Sequence, residues 1–145
     1  MSILFTDKVT VYNHSFDKDG NDQWIRHVIK GVQWAHNRIN VSIGGNVATT
    51  AYIESLTFDF ESNYGNPSYI EPNLYEALTD SEKAAVWTLT PDGGDIVVLG
   101  ETTQGITGSA DIDTLRGLFQ YVNAVKAVTD NRNRPRLRTI KAVVE

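Results

Sequence analysis

KVTVYNHSFDKDGNDQWIRHVI, residues 8–29, decides the fold, because two strand-forming runs flank one turn in it. The first run, KVTVY (8–12), is rich in β-branched residues and places Val9 and Val11 on one face of a strand. DKDGND (17–22) is typical of a turn, in which Gly20 is free to adopt a positive φ. WIRHVI (24–29) follows as a second strand, so this stretch predicts a β-hairpin.

Further strand patterns lie downstream, at residues 32–34, 51–61, 86–89, 96–99, 121–129 and 137–144. The run Ile96–Leu99 is apolar on both faces, which is typical of a central strand. Helical signals are confined to 72–85, which contains the capping-box sequence TDSE at 79–82, and to 111–119. This pattern predicts one mainly β domain over residues 1–145, a small β-barrel or sandwich with long loops and one or two short helices.

Two segments are expected to be extended loops, 36–50 and 62–73. In the first, Val41 and Ile43 alternate, but a Gly-Gly-Asn run at 44–46 interrupts the pattern, so either a hairpin tip or a long flexible loop fits. The second, SNYGNPSYIEPN, has the composition of a loop. Its two tyrosines, Tyr64 and Tyr69, indicate that it folds against another surface.

Composition limits the classes of function. The chain has 145 residues, 41% of them hydrophobic, which is enough for one core. It contains no cysteine, which excludes disulfides, thiol nucleophiles and cysteine-ligated metals. No window approaches the roughly 20 apolar residues of a membrane span, and MSILFTDKVTVY at the N-terminus has no signal-peptide features. We expect a soluble protein that is used without export and contacts no membrane.

No catalytic motif is present in the sequence, neither a nucleophile elbow, nor a zinc-protease helix, nor a phosphate-binding glycine loop. The three histidines, His14, His27 and His36, match no metal-ligand spacing and are interpreted as scattered side chains, at the surface or partly buried.

Two sets of carboxylates admit a chemical interpretation. Asp92 and Asp95 flank two glycines and, together with Glu101, have the composition of a calcium site, but an ordinary acidic turn fits equally. Asp59 and Glu61 alternate with phenylalanines along one strand. They can be interpreted as a glycosidase pair or as the solvent-exposed face of that strand. We favour the structural interpretation of both sets and therefore expect no enzyme activity, no metal and no cofactor.

Four arginines fall at every second residue near the end of the chain, Arg132, Arg134, Arg136 and Arg138. In an extended segment they would share one face, and Pro135 places the run at a sheet edge or outside a sheet.

The charge of the chain is divided unevenly. Residues 126–145 carry six basic and two acidic side chains, whereas the preceding residues carry seven basic and sixteen acidic ones. Three interpretations of the arginines remain open: a solvated edge that deters aggregation, salt bridges to an acidic neighbouring subunit, or contact with DNA phosphates.

Several stretches, in the same order, resemble small neck and minor structural proteins of tailed bacteriophages that infect Gram-positive bacteria. KVTVYNH and WIRHVIKGVQW resemble a "TVYN" strand followed by a "V-I-x-G-V-x-W" segment. GGDIVVLGE (93–101) is similar to a G-D-x-(I/V)-V-x-G-E stretch of those proteins. VNAVKAVTDNRNRPRLRTIKAVVE (122–145) resembles their ending, in which a strand, an S/T-D-N-R turn and a final strand follow one another.

The resemblance implies a virion structural protein of the head–tail connector, of the head-closure (stopper) type. Such proteins are small β-barrels that form rings below the portal and adaptor, close the head and join it to the tail. The implied partners are copies of the chain itself, the portal or adaptor protein and the tail terminator or tail tube protein, with transient contact to packaged DNA. The implied location is the neck of the virion, after assembly in the host bacterial cytoplasm. A tail terminator or another neck protein is the alternative within this class.

Within such a ring, two sets of residues are candidates for contacts. The channel-side loop would present Arg38, Asn40, Gly44, Gly45 and Asn46. Subunit or partner contacts would use Arg132, Arg134, Arg136, Arg138, Tyr64 and Tyr69.

Two functions of other classes remain as hypotheses. One is a stand-alone β-sandwich module that binds carbohydrate or protein on an aromatic platform formed by Trp24, Trp34, Tyr64 and Tyr69. The other is a glycan hydrolase that uses the two carboxylates of the 51–61 strand.

Overall fold

Eight strands and three short helices make up the computed structural model, which describes residues 5–42, 48–62 and 64–145. For residues 37–42 and 48–52 the structure describes the backbone alone. The elements are β1 (Asp7–Phe16), β2 (Asp22–Ser42), β3 (Ala48–Asp59), β4 (Ser68–Tyr69), α1 (Pro72–Glu76), α2 (Asp80–Lys83), β5 (Val86–Trp87), β6 (Ile96–Leu99), α3 (Ser109–Leu118), β7 (Val122–Asp130) and β8 (Thr139–Val144).

Six of these strands form a closed barrel in the order β1–β2–β3–β8–β7–β6, and every neighbouring pair is antiparallel. The remaining strands, β4 and β5, form a separate parallel pair. The predicted mainly β fold is confirmed, and of the two predicted architectures the barrel is the one observed. Closure gives both edges of the sheet a partner, so the barrel itself has no free edge.

The β1–β2 hairpin is formed as its sequence predicts. Val11 and His27 are Cα partners in it, and Gly20 in the turn has a φ of 82°. One Asp17 carboxylate oxygen accepts the backbone N–H groups of Asp19 and Asn21, both at 2.9 Å, which closes the turn. The local sequence alone therefore accounts for the geometry of this hairpin.

Gly31 changes the face that β2 presents to the core. The register shifts at this point, since Lys8 faces Lys30 while Asp7 faces Val32, and Gly31 has a φ of 75°. This is the geometry of a β-bulge with glycine in the left-handed conformation. As a result Ile29 and Val32 both belong to the barrel interior, although their spacing of three residues contradicts simple alternation.

Two apolar clusters stabilise the fold. The barrel interior is a cluster of buried side chains that includes Val9, Val11, Leu56, Phe58 and Ile140, and Trp87 and Leu89 from the β5 segment pack on it. A second cluster lies on the other face of β1 and β6, where Leu115 of α3 packs with Tyr12, Ile96 and Val98. The prediction that Ile96–Leu99 is a central strand apolar on both faces is thus confirmed, since it pairs with β1 and β7.

Three helices are present among the described residues, not the predicted one or two. The 72–85 region breaks into α1 and α2 because Thr79 starts a new helix as its N-cap, with both hydrogen bonds of a capping box to Glu82. The longest helix, α3, has ten residues, so no helix in the described part of the chain could span a bilayer.

The predicted extended loop over 36–50 is wrong for 36–42 and 48–50, which belong to β2 and β3. Cα pairing between these strands continues to Ser42 and Ala48, so the hairpin alternative is the one observed. The glycines at 44 and 45 and Asn46 lie outside the described residues. The second predicted loop, 62–73, is largely irregular, but it contains β4 and the first residues of α1.

Candidate functional site

The arginine run forms the connection between β7 and β8, which comprises residues 131–138. The expectation of one extended segment with all four guanidiniums on one face is therefore wrong. The chain turns here instead: the Arg134 N–H donates to the Asn131 carbonyl at 3.3 Å, and Leu137 has a φ of 55°. A turn followed by a left-handed residue breaks the period of two that a strand requires.

Arg132 is built into the fold. Its Nε and Nη2 atoms donate to the two carboxylate oxygens of Asp130 at 3.0 and 2.8 Å, and Nη2 also donates to Glu71 at 2.8 Å. Its guanidinium lies 4.6 Å from the ring centroid of Tyr69 and 5.6 Å from that of Phe60. This planar, doubly paired arrangement fastens the β7–β8 connection to β4 and α1. The charge-assisted hydrogen bonds from Arg132 also hold the pKa of Asp130 below its usual value.

Arg138 is paired within the chain as well. One Glu61 oxygen accepts the Arg138 backbone N–H at 2.8 Å, and the other lies 3.5 Å from its Nη2. These hydrogen bonds, with the nearby positive charge, lower the pKa of the Glu61 carboxyl. Both side chains are exposed to solvent, so the pair positions the end of the connection and adds little stability.

Arg134 and Arg136 form no ion pair with the part of the chain that the structure describes, and both are exposed. Leu137, which follows them, is 78% exposed. The left-handed backbone of Leu137 costs about 1–3 kcal/mol of conformational free energy in an isolated subunit, because the residue is not a glycine. Of the four arginines predicted to form contacts, Arg134 and Arg136 are thus the two without an ion pair among the described residues, and Leu137, which the sequence pattern did not single out, is exposed beside them.

The two loop tyrosines are engaged inside the subunit. Tyr64 donates its hydroxyl hydrogen to Asp59 at 2.6 Å, and its ring covers Gly31, where a Cβ atom would lie 2.4 Å from it. Tyr69 packs against the barrel core beneath Arg132. The prediction that the 62–73 loop folds against another surface is correct for both rings, and that surface is the barrel of the same chain.

The far end of the β2–β3 hairpin has no strand partner beyond itself in the described residues. β1 pairs with β2 only as far as Val32, and β8 pairs with β3 only from Glu54 onward. Residues 37–42 and 48–53 therefore form a two-stranded arm, about 20 Å long at 3.3 Å per residue. The predicted channel residues Arg38 and Asn40 lie in this arm, where their Cα partners are Tyr52 and Thr50.

The base of the arm is firmly attached to the barrel. A carboxylate oxygen of Asp7 accepts the backbone N–H of Trp34, in β2, at 2.8 Å. The Trp34 ring lies 5.8 Å from that of Tyr121. Glu54 accepts hydrogen bonds from His36 at 2.8 Å and from the side-chain amide of Asn123. The arm thus begins at a rigid point, which fixes its direction.

The remaining sequence candidates have structural roles. Among the described residues, no group of three His, Asp or Glu side chains has the geometry to hold a metal ion. His14 lies between the Gly93 carbonyl and Asp22, and burial lowers the pKa of His27. Asp59 and Glu61 are both engaged, with Tyr64 and Arg138 respectively, so the glycosidase hypothesis receives no support from their geometry.

Asp95 is a buried carboxylate, and among the described residues it forms no candidate calcium site with Asp92 and Glu101. It is fully buried, and its oxygens accept N–H groups of His14 at 2.7 Å, Thr90 at 2.8 Å and the Asn13 side chain at 3.3 Å. Burial raises the pKa of this carboxyl to about 6, against the opposing effect of these hydrogen bonds. Glu101 pairs instead with Lys8.

The four aromatic residues of the platform hypothesis do not come together. Trp24 and Trp34 are ten residues apart in one strand, about 33 Å at the usual rise. Trp24 packs on His14, and Trp34 packs on Tyr121. The carbohydrate-platform hypothesis therefore has no common surface to rest on.

Comparison with known proteins gives one match. A model described as a family of unknown function (DUF6751) matches residues 4–142. The chain belongs to this family. No curated protein and no solved structure matches the chain. The matched residues begin before β1 and end within β8, so they include the arm and the arginine connection of this chain.

Proposed function

We propose that the protein is a non-enzymatic structural component of the head–tail interface of a tailed bacteriophage, which forms a ring below the portal or adaptor, closes the head and joins it to the tail. The proposal places it in the neck of the virion, after assembly in the host cytoplasm. A tail terminator or another neck protein is the alternative of the same class. The resemblance of the ordered sequence stretches motivates this class, and the barrel fold is compatible with it.

The observation that supports a self-assembling role is the β2–β3 arm, whose outer edges have no strand partner among the described residues. A two-stranded hairpin is at best marginally stable in water, because it lacks a second layer on which to pack. Both of its outer edges carry backbone N–H and C=O groups that pair readily with another strand. An arm about 20 Å long that starts from a rigid base is expected to be completed by neighbouring subunits.

The second supporting observation is the polarity of the surface. Arg134 and Arg136 extend from one connection and have no acidic partner among the described residues, whereas the chain as a whole has a net charge of −5. Cyclic assemblies use two different, complementary faces of each subunit. The arginine connection can supply the basic face, and the acidic body can supply the other one. Packaged DNA is the remaining candidate partner for these arginines, by transient contact.

Hydrogen–deuterium exchange combined with native mass spectrometry tests the ring. In the isolated subunit, amides of the arm (37–42 and 48–53) should exchange far faster than those of β1, because their hydrogen bonds open without unfolding the barrel. In particles or reconstituted rings, protection of the arm should rise while that of β1 stays unchanged. A protein that neither forms rings with its neighbours nor occurs in mature virions would overturn the proposal.

Charge reversal separates the contact hypothesis from the solvated-edge hypothesis. The double variant Arg134→Glu/Arg136→Glu should retain the melting temperature of the wild type and lose ring formation. The matched control, Lys18→Glu/Arg116→Glu, makes the same change in net charge at exposed positions elsewhere. Normal assembly of the first variant would leave only the solvated-edge interpretation for these two arginines.

A further inference from the structure

A pocket of about 460 Å³ opens on the outside of the barrel. Its walls come from the end of β1, from both small helices and from the turn before β6, through Phe16, Tyr75, Lys83, Thr90 and Gly93 among others. This volume is within the range of small-molecule and side-chain sites. His14 and Gly93, which contact each other, form part of its lining.

Two polar groups in the pocket lack partners among the described residues. Tyr75 is 2% exposed, and its hydroxyl makes no hydrogen bond. Lys83 is 5% exposed and forms no ion pair with the described residues, and its Nζ lies 5.6 Å from the centroid of the Tyr75 ring. A buried hydroxyl without a partner costs about 1–3 kcal/mol.

Among the described residues, no carboxylate lies within ion-pair distance of Lys83 Nζ or accepts a hydrogen bond from the Tyr75 hydroxyl. The oxygens of Asp95 accept three N–H groups of other residues. Asp80 accepts a hydrogen bond from Gln23 at 3.1 Å, and Glu76 lies exposed at the rim. Burial, reinforced by the charges of Asp95 and Asp80, raises the pKa of Tyr75, so its hydroxyl is a donor at every physiological pH. The pocket therefore offers two unused donors, one of them cationic.

We infer that this pocket binds a carboxylate, which accepts a hydrogen bond from the Tyr75 hydroxyl and pairs with the Lys83 ammonium. The ring of Phe16, 61% exposed at the pocket, supplies an apolar contact for the carbon chain that carries the carboxylate. A short apolar stem with a terminal carboxylate fits this combination. A small organic acid and a glutamate side chain of another protein both present that group. The inference stands independently of ring assembly.

Stability measurements distinguish a binding role from a structural one. Because neither donor has an internal partner, Tyr75→Phe and Lys83→Met should leave the urea midpoint of the isolated protein unchanged or raise it. Structural roles would require the opposite, a loss of stability in both variants. A clear fall in the midpoint for both variants would overturn the inference.

Ligand titration then tests the chemistry directly. Glutarate and the blocked peptide acetyl-Gly-Glu-Gly-amide, titrated into ¹⁵N-labelled protein, should shift the amide signals of Thr90 and Gly93, and the neutral glutaramide should not. Lys83→Met should abolish the shifts, and Tyr75→Phe should weaken the affinity about tenfold, as expected for one hydrogen bond to a charged group. A stronger response to glutarate than to the peptide points to a free acid, and the reverse points to a protein partner. Equal shifts with glutaramide, or no shift with either acid, would overturn the inference.

Discussion

Asp95 gives the most specific test of the energetics of this fold. Its carboxyl has an ordinary pKa of 3.8, and burial raises that pKa to about 6 in the folded protein. The folded state then binds the proton more tightly than the unfolded state. Ionisation of Asp95 therefore lowers the free energy of unfolding progressively as the pH rises from about 4 to about 6. The difference between a pKa of 3.8 and one of about 6 corresponds to about 3 kcal/mol. This is the largest decrease in the free energy of unfolding expected as the pH rises from about 4 to above 6.

The variant Asp95→Asn removes this titration. It also places an amide N–H₂ group where a carboxylate accepts N–H groups of His14 and Thr90, which costs about 1–3 kcal/mol at any pH. The stability advantage of the wild type over the variant should thus be largest near pH 4 and shrink by up to about 3 kcal/mol toward pH 7.

Urea denaturation monitored by tryptophan fluorescence, repeated at intervals between these pH values, measures that difference. Asp92→Asn is the matched control, because it removes the same charge from an exposed side chain of the same turn and should show no such trend. A wild-type advantage that is constant, or that grows with pH, would show that the three N–H donors outweigh burial and would refute this reasoning.

Three further substitutions have expected outcomes that denaturation at neutral pH can check. Arg132→Met should lower the free energy of unfolding by about 2 kcal/mol, and Arg132→Lys should recover only part of it, because lysine cannot make the paired, stacked contacts of the guanidinium. Gly31→Ala should cost about 1–2 kcal/mol for the left-handed backbone, and more if Tyr64 cannot move away; an effect below that range would contradict the bulge. Thr79→Ala should cost about 1 kcal/mol through loss of the N-cap of α2, whereas Ser81→Ala should be nearly neutral.

Local signals in the sequence were sufficient to predict the first hairpin, the β6 strand and the N-cap of α2. Each is decided by residues adjacent in the chain: Gly20 in its turn, the apolar run at 96–99 and the Thr79–Glu82 pair. The barrel, in contrast, could be predicted only as one of two architectures. Closure depends on β1 meeting β6 and β3 meeting β8, which are long-range pairings that periodicity does not specify.

The arginine run shows why a regular spacing can mislead. Its period of two is the pattern of a strand, yet the chain turns at Asn131 and becomes left-handed at Leu137. Carboxylates decide the outcome, since Arg132 pairs with the nearby Asp130 and the distant Glu71, and Arg138 pairs with the distant Glu61. No pattern within the run identifies which arginines have such partners, so the separation into paired and unpaired members required the tertiary structure.

The closed barrel also constrains where interactions can occur. Since all six barrel strands have partners on both sides, strand addition by another chain is possible only where the pairing extends past the barrel, as in the arm of β2 and β3. The arginine connection lies between β7 and β8, and β8 is the neighbour of β3. Along β3 the arm adjoins Glu54, which faces Val144, whereas the arginine connection adjoins Asp59, which faces Thr139. Arm and connection therefore lie at opposite ends of the β3–β8 pair, and each can engage a different neighbour. Arg134→Glu/Arg136→Glu should then leave the hydrogen–deuterium exchange of the arm amides unchanged in the isolated subunit.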